Sequence, residues 1–452
     1  MIRSLRHPAR LLVVGFAAAI FVGGALLALP VASKGLPVAF LDALFMAASA
    51  VCVTGLAVVD PGSTFNGFGQ AVLLGLVQIG GLGITTLSTA LLLLIGQDIS
   101  FSSHDAVQNS FAGSYRLGLG ALLRLVFLWT LTIEAAGAVA LFLTESQRLP
   151  LGDAIWFSVF HAVSAFCNAG FGLRPDNLMS DRASVGIVLP ISVLVILGGL
   201  GFMVLVELMG WSSRRLRRQR APLSLHSKVA LTMTGLLLVV GMAGFLLLER
   251  ANLLAGMEVK EALLTAWFAS VTPRTAGFNT VDYGQATVAT LYFTVVLMLI
   301  GGCPGSTAGG VKATTLAVLL ALTRARFRNE RDVPLFERSV PETNAAKAVS
   351  VVALAFVIVA LGAIALSALQ VSGQFHPRTV EWSLGLLFEV VSALGTVGLS
   401  TGITPQLNDG GKMFVMLLMF VGRLGPLTVA VAIARRTPRP AVAYAEEQVM
   451  IG

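Results

Sequence analysis

The stretch Ser392 to Gly402, SALGTVGLSTG, decides how this chain folds. It is rich in glycine and hydroxyls, carries no charge, and closes the segment WSLGLLFEVVSALGTVGLSTG between two long apolar runs. Three other segments read the same way: FLDALFMAASAVCVTGL, AIWFSVFHAVSAFCNAGFGL and ALLTAWFASVTPRTAGFNT. The four align on Gly55, Gly170, Gly277 and Gly398, at intervals of 115, 107 and 121 residues. Ten residues ahead of each glycine stands an aromatic, Phe45, Phe160, Trp267 or Phe388. Six and five ahead stand Ser49-Ala50, Ser164-Ala165, Val271-Thr272 and Ser392-Ala393. A glycine cluster follows 24 to 28 residues on: Gly80 to Gly83, Gly198 to Gly201, Gly301 to Gly305, and Gly422 to Gly425. Two landmarks kept in register over four copies mark an internal repeat near one quarter of the chain.

Of the 452 residues 56% are hydrophobic and 12% charged, and the mean hydropathy is +0.85, so most of the chain has lipid as its solvent. A helix of about 20 residues crosses a hydrocarbon core of about 30 Å. Eight runs meet that length, at 11–30, 68–96, 119–143, 184–209, 228–248, 286–323 with an interruption, 345–369 and 411–434. The aligned segments between them are shorter and end in glycine, as re-entrant half-helices do. The expected fold is an all-α integral membrane protein. It has four repeats of membrane helix, re-entrant pore loop and membrane helix, over 1–97, 98–211, 212–328 and 329–452.

The N-terminus, the links between repeats and the C-terminal tail hold 19 Lys and Arg, against nine around the half-helices, which places both termini in the cytoplasm and the half-helices on the outer side. The net charge of +8 is therefore a topology signal and calls for no nucleic acid. The run RRLRRQR, Arg214 to Arg220, serves as a topology anchor or as a site for a partner or lipid headgroups. Cys52, Cys167 and Cys303 lie far apart with no ligand spacing and read as small packing residues. No cleavable signal is evident, because 11–30 is long enough to span and lacks an A-x-A site.

Non-helical backbone at membrane depth must face protein or water. Four such loops around a pseudo-fourfold axis enclose one pore. A ring of backbone carbonyls can replace the water shell of a cation, and glycine keeps a Cβ out of the ion's way. The half-helix ahead of each loop aims its negative dipole end at the same point. The candidate filter residues are Val53, Thr54 and Gly55; Asn168, Ala169 and Gly170; Thr275, Ala276 and Gly277; and Thr396, Val397 and Gly398.

SAVCVTGLAVVD, FHAVSAFCNAGFGLRPDNLMS, VTPRTAGFN and SALGTVGLSTGITPQL resemble the four filter regions of the bacterial Ktr/Trk potassium-uptake family, which includes yeast Trk and plant HKT transporters. The resemblance covers nearly the whole chain and is strongest to its KtrB branch. It implies a homodimeric potassium-translocating subunit of the bacterial inner membrane. A cytoplasmic ring of KtrA- or TrkA-like subunits, binding ATP, ADP or NAD, would gate it, with sodium as an activator. It implies no cofactor in the chain itself and no enzyme activity. Some HKT relatives pass sodium when the first filter glycine is serine; Gly55 favours potassium.

The sixth run is broken by GGCPGSTAGGVK: Gly301, Gly302, Cys303, Pro304, Gly305, Ser306, Thr307, Ala308, Gly309 and Gly310, followed by Val311 and Lys312. Each Gly costs about 1 kcal/mol and a Pro about 3 relative to Ala, so no regular helix survives here. By resemblance this is an intramembrane gating loop below the filter. Arg423 stands where the other repeats have Gly81, Gly199 and Gly302, and is expected to raise a barrier to cations and to hold that loop through its carbonyls. His161 and Glu389, nine residues ahead of their filter glycines, read as buried braces ahead of proton carriers. The role of Glu134 stays open between a pair with Arg124 and one with a neighbouring helix. A symporter coupling potassium to sodium or protons would want inverted halves and paired midplane acids, and an integral-membrane enzyme a clustered polar site. Neither pattern is present, and no nucleotide-binding motif is either.

Overall fold

The structure is a computed structural model that describes residues 8–83, 119–216, 223–330, 332–370 and 379–425. It is mostly helical, because a chain in lipid has to satisfy its backbone within each segment. In the first quarter α1 (Pro8–Leu27) packs on the half-helix α2 (Phe40–Val51), and α3 (Gly67–Leu82) follows. The second quarter holds α4 (Leu119–Glu145), the half-helix α5 (Leu151–Phe166), α6 (Val185–Leu200) and α7 (Phe202–Leu216). The third holds α8 (Leu225–Glu249), the half-helix α9 (Val259–Val271), α10 (Val288–Leu299) and α11 (Ala313–Phe327). The last holds α12 (Glu342–Gln370), the half-helix α13 (Thr379–Gly395) and α14 (Asp409–Leu424). Side chains of Asn66, Thr287 and Asn408 cap the helices that follow three of the loops, accepting bonds from backbone N–H groups one turn in.

Several expectations change. The fourth run is not one helix: α6 and α7 meet at Gly201 with a bend of 101°. Gly201 has φ +90°, which ends α6 where an L-residue would continue it. Gly83 and Gly425 end α3 and α14 with φ of 77° and 83°, so the expected helices to 96 and 434 stop early, and their remainders lie outside the described residues. The glycine clusters are helix ends, not helix interiors. Among the described residues three helices are long and apolar enough to cross a membrane, α4 from Arg124, α8 and α12, or four if the bent pair counts as one. The all-α expectation also needs amendment, since β1 (Val333–Leu335) and β2 (Arg338–Val340) pair antiparallel in the link before α12. Both chain ends, and the last four residues of the RRLRRQR run, lie outside the described residues.

The quarters are joined edge to edge. Lys412 at the start of α14 pairs with Asp42 in the first turn of α2 at 2.6 Å, so the last quarter meets the first. Arg182, just ahead of α6, pairs with Glu261 in the first turn of α9 at 2.7 Å. Between the first two quarters Trp156 Nε1 donates to Gln70 Oε1 at 2.6 Å. One apolar core holds Phe45, Val51 and Phe65 of the first quarter together with Leu386, Val390 and Met419 of the last.

Candidate functional site: the glycine ring and the loop beside it

Each half-helix ends where its candidate filter segment begins, and the turn closes over five residues in three of the copies and over four in the third. The N–H groups of Thr54, Ala169 and Val397 donate to the carbonyls of Ser49, Ser164 and Ser392 at 2.8, 2.7 and 2.8 Å, and Ala276 donates to Thr272 at 3.0 Å. The residue before each of these is left-handed, Val53 at φ 54°, Asn168 at 59°, Thr275 at 68° and Thr396 at 51°. The glycine after it is left-handed again, Gly55 at 93°, Gly170 at 69°, Gly277 at 78° and Gly398 at 92°. Alternating handedness turns successive peptide groups to the same side, as regular strand does not. The hydroxyls six or five residues ahead hold the turn: Ser49 and Ser392 each accept from their glycine N–H at 3.0 Å. Ser164 donates to the Phe171 carbonyl at 2.9 Å, and Thr272 donates to that of Phe278.

The four glycines back onto one another in order. A Cβ on Gly55 would stand 2.5 Å from the Ala169 carbonyl oxygen, on Gly170 2.8 Å from that of Ala276, and on Gly277 2.6 Å from that of Val397. On Gly398 it would collide with the Thr54 carbonyl, which closes the circle. These twelve residues are thus gathered at one place, with their half-helix C-termini converging on it. The hydroxyls of Thr54, Thr275 and Thr396 are buried there without a hydrogen-bond partner among the described residues. On the side of the residues that follow the glycines lies a cavity of about 320 Å³, lined by the four glycines and by Asp60, Asp282 and Arg174 among others.

The broken sixth run forms a loop between α10 and α11 that docks on the bend at Gly201. Cys303 N–H donates to Gly199 O at 2.9 Å, Thr307 N–H to Gly198 O at 3.2 Å, and Phe202 N–H to Gly305 O at 3.1 Å. Gly301 N–H donates to Val311 O at 2.8 Å and Ala313 N–H to Gly302 O at 3.1 Å, which closes the loop on itself. Thr307 Oγ1 donates to the carbonyl of Phe166, the last residue of α5, at 3.1 Å. A Cβ on Gly309 would run into Thr396 Oγ1, and one on Gly201 would come within 2.6 Å of Pro304 O. The loop therefore touches the feet of two filter segments. Ser306 Oγ accepts from Ala308 N–H at 3.3 Å, and Lys312 Nζ donates to Ala308 O at 2.7 Å. Gly310 turns the chain out at φ 66°. Arg423 donates to Thr307 O in this loop, the carbonyl contact expected of it, and also to Gly80 O in the first quarter, which was not expected.

His161 lies wholly buried, with Nδ1 2.8 Å from Phe157 O and Nε2 accepting from Leu173 N–H at 3.4 Å. Glu389 accepts from Thr404 Oγ1 at 2.9 Å and from Ser400 Oγ, tying α13 to the chain beyond its glycine. Both side chains are thus buried and hydrogen-bonded. Glu134 accepts from Gln78 Nε2 at 3.2 Å and from Cys167 Sγ at 3.8 Å, so its partners are on a neighbouring helix and in α5's cap and do not include Arg124. All three cysteines are buried and free. Two contacts were not expected: Asn177 Nδ2 donates to Gly170 O at 3.1 Å, and Gly198 O is a landing for the loop. The first has no signature beyond its nearness to a filter segment; the second was visible as a cluster but not as a contact.

The model of the TrkH family, described as "Cation transport protein", matches residues 12–443. The chain belongs to the TrkH family. It is 38% identical to the Ktr system potassium uptake protein B of Bacillus subtilis, over 98% of this chain and 97% of that one. It is also 38% identical to the potassium/sodium uptake protein NtpJ of Enterococcus hirae, over 100% of this chain and 98% of that one. The crystal structure of the potassium transporter TrkH from Vibrio parahaemolyticus superposes with a TM-score of 0.73 at 18% identity, over 95% of this chain and 85% of that one, which shows the shared fold. The family is one of membrane cation transport proteins.

Proposed function

We propose that the chain is the potassium-translocating subunit of a Ktr/Trk-type uptake system, a gated, channel-like conductor whose filter is the glycine ring. The observation that carries this reading is the closed circle in which each glycine backs onto the carbonyl ahead of the next, with no side chain of any kind between them. The names of the Bacillus subtilis and Enterococcus hirae relatives support potassium as the cargo, and the second supports sodium as an additional cation; activation by sodium is part of the proposal. The fold is read as eight spans in four repeats about a pseudo-fourfold axis, with the short helices that end at glycine clusters as the incomplete spans. The loop from Gly301 to Gly310, with Lys312 and Arg423, is the gate, standing closed against the filter foot. The remaining parts are a homodimer in the bacterial inner membrane, cytoplasmic termini, and a cytoplasmic nucleotide-binding ring that moves the gate.

The test is cation flux into liposomes holding the full chain, with potassium, rubidium, sodium and lithium in turn, with and without the cytoplasmic partner. Potassium and rubidium uptake down their gradients supports the reading. Uptake that requires a proton gradient would replace it with the symporter.

A further inference from the structure

The cavity beyond the glycine ring carries two carboxylates, Asp60 and Asp282, each five residues past its glycine in the first and third quarters. Each is held by a backbone N–H of its own loop, Ser63 at 2.7 Å and Gly284 at 2.9 Å, and neither has a cationic partner among the described residues. The same wall carries a guanidinium, Arg174, four residues past Gly170. A fixed positive charge at the mouth of a cation path works against the path.

Arg174 is not free to act that way. Its Nη2 lies 2.9 Å from Glu145 Oε2, its Nη1 is paired with Asp181, and its head stacks 4.7 Å over the Phe157 ring. Both carboxylates are sunk in protein, Glu145 at 0% and Asp181 at 4% exposure, while Arg148 reaches Asp181 at 3.1 Å from the outer side at 48%. Two arginines and two buried acids balance, so Asp60 and Asp282 set the sign of the mouth. Buried carboxylates held this tightly do more than a solvated pair would, because solvent does little to screen them.

We propose that Glu145 and Asp181 are positioning residues for cation entry: they hold Arg174 back and cancel its charge, which keeps the outer mouth negative. This rests on the reading of the ring as a cation filter. Losing one of the two acids leaves one uncompensated positive charge beside the path. At about 10 Å across water that charge changes the local cation concentration by about twofold, and the change disappears as the Debye length shrinks from about 30 Å at 0.01 M salt to about 3 Å at 1 M.

Rubidium uptake into liposomes with the full chain reads this directly. At about 0.01 M ionic strength Glu145→Gln and Asp181→Asn each lower uptake about twofold, and at about 1 M they match the wild type. Arg174→Gln in the Glu145→Gln background restores low-salt uptake, as no purely structural role for Glu145 would. Arg174→Gln alone, which removes the charge at its source, raises low-salt uptake by a similar factor and serves if the acid variants do not fold. Equal losses at both ionic strengths, or no recovery in the double variant, overturn the proposal while leaving the filter reading in place. A wild-type protein that passes no cation at either salt removes the filter reading and this proposal together.

Discussion

Replacing Gly55 by serine places a Cβ inside the ring at a contact whose geometry is known. The residue sits at φ +93°, a conformation that is worth about 1–2 kcal/mol of strain to an L-residue. The Cβ would lie 2.5 Å from the Ala169 carbonyl oxygen and 3.2 Å from Gly170 Cα. Carbon rests about 3.3 Å or more from a carbonyl oxygen, so the Ala169 carbonyl has to retreat by roughly 0.8 Å. A ligand bond to a charged group is worth about 1.5–3 kcal/mol, and displacing one carbonyl therefore lowers the preference for potassium over sodium by roughly tenfold or more. Gly402 supplies the control. It has φ +88° and thus comparable strain, yet no atom lies within 4 Å of where its Cβ would stand. The assay is competitive potassium and sodium uptake into liposomes by Gly55→Ser, Gly402→Ser and wild type at matched protein content. Only Gly55→Ser is expected to shift toward sodium. An unchanged ratio in Gly55→Ser would refute it, and so would an equal shift in both, which strain alone would explain.

Arg423→Gln removes the guanidinium that joins the loop carbonyl of Thr307 to Gly80 O, each charge-assisted bond being worth about 1.5–3 kcal/mol. Uptake without the cytoplasmic partner should rise at least tenfold, and a fall or no change in partner-free uptake counts against the gate. Thr307→Val deletes the 3.1 Å bond to the Phe166 carbonyl, worth about 1 kcal/mol, and should raise the same basal uptake by roughly fivefold, with selectivity unchanged. Glu389→Gln weakens the contacts to Ser400 and Thr404 and should lower thermal stability in detergent while leaving uptake independent of any proton gradient; gradient-driven uptake in the wild type that this variant abolishes would make Glu389 a proton carrier instead.

Much of the site was legible because a repeat writes the same physical requirement four times. Glycine at 55, 170, 277 and 398 answers a backbone demand, and the hydroxyls at 49, 164, 272 and 392 hold the loop beyond each half-helix, by the N–H of Gly55 and Gly398 or the carbonyl of Phe171 and Phe278. What a repeat does not write is the conformation of its unlike members. Val53, Asn168, Thr275 and Thr396 share a left-handed backbone but no chemistry, so nothing in their side chains signals it. The bend at Gly201 was hidden for a related reason. An apolar run with glycines reads as a span under any hydropathy count, and the loop that bonds Gly198 and Gly199 at the break comes from a hundred residues away. Asn177, Asp181 and Glu145 were unreadable because their meaning is pairwise, between segments that sequence leaves unrelated. The small hairpin of β1 and β2 sits in a polar link, where hydropathy carries no pattern.

The bond from Lys412 to Asp42 spans nearly the whole chain, and the same junction seats Val415 and Met419 against Phe45 and Val51. A polypeptide emerging from the ribosome makes the first three quarters long before it makes the fourth. Until the last half-helix and α14 have entered the bilayer, Gly55 and Gly277 have no neighbour on one side, and no closed carbonyl circle exists. The ring is thus the last part of the site to form, and a product truncated short of the final quarter carries three of its four segments and no closed circle.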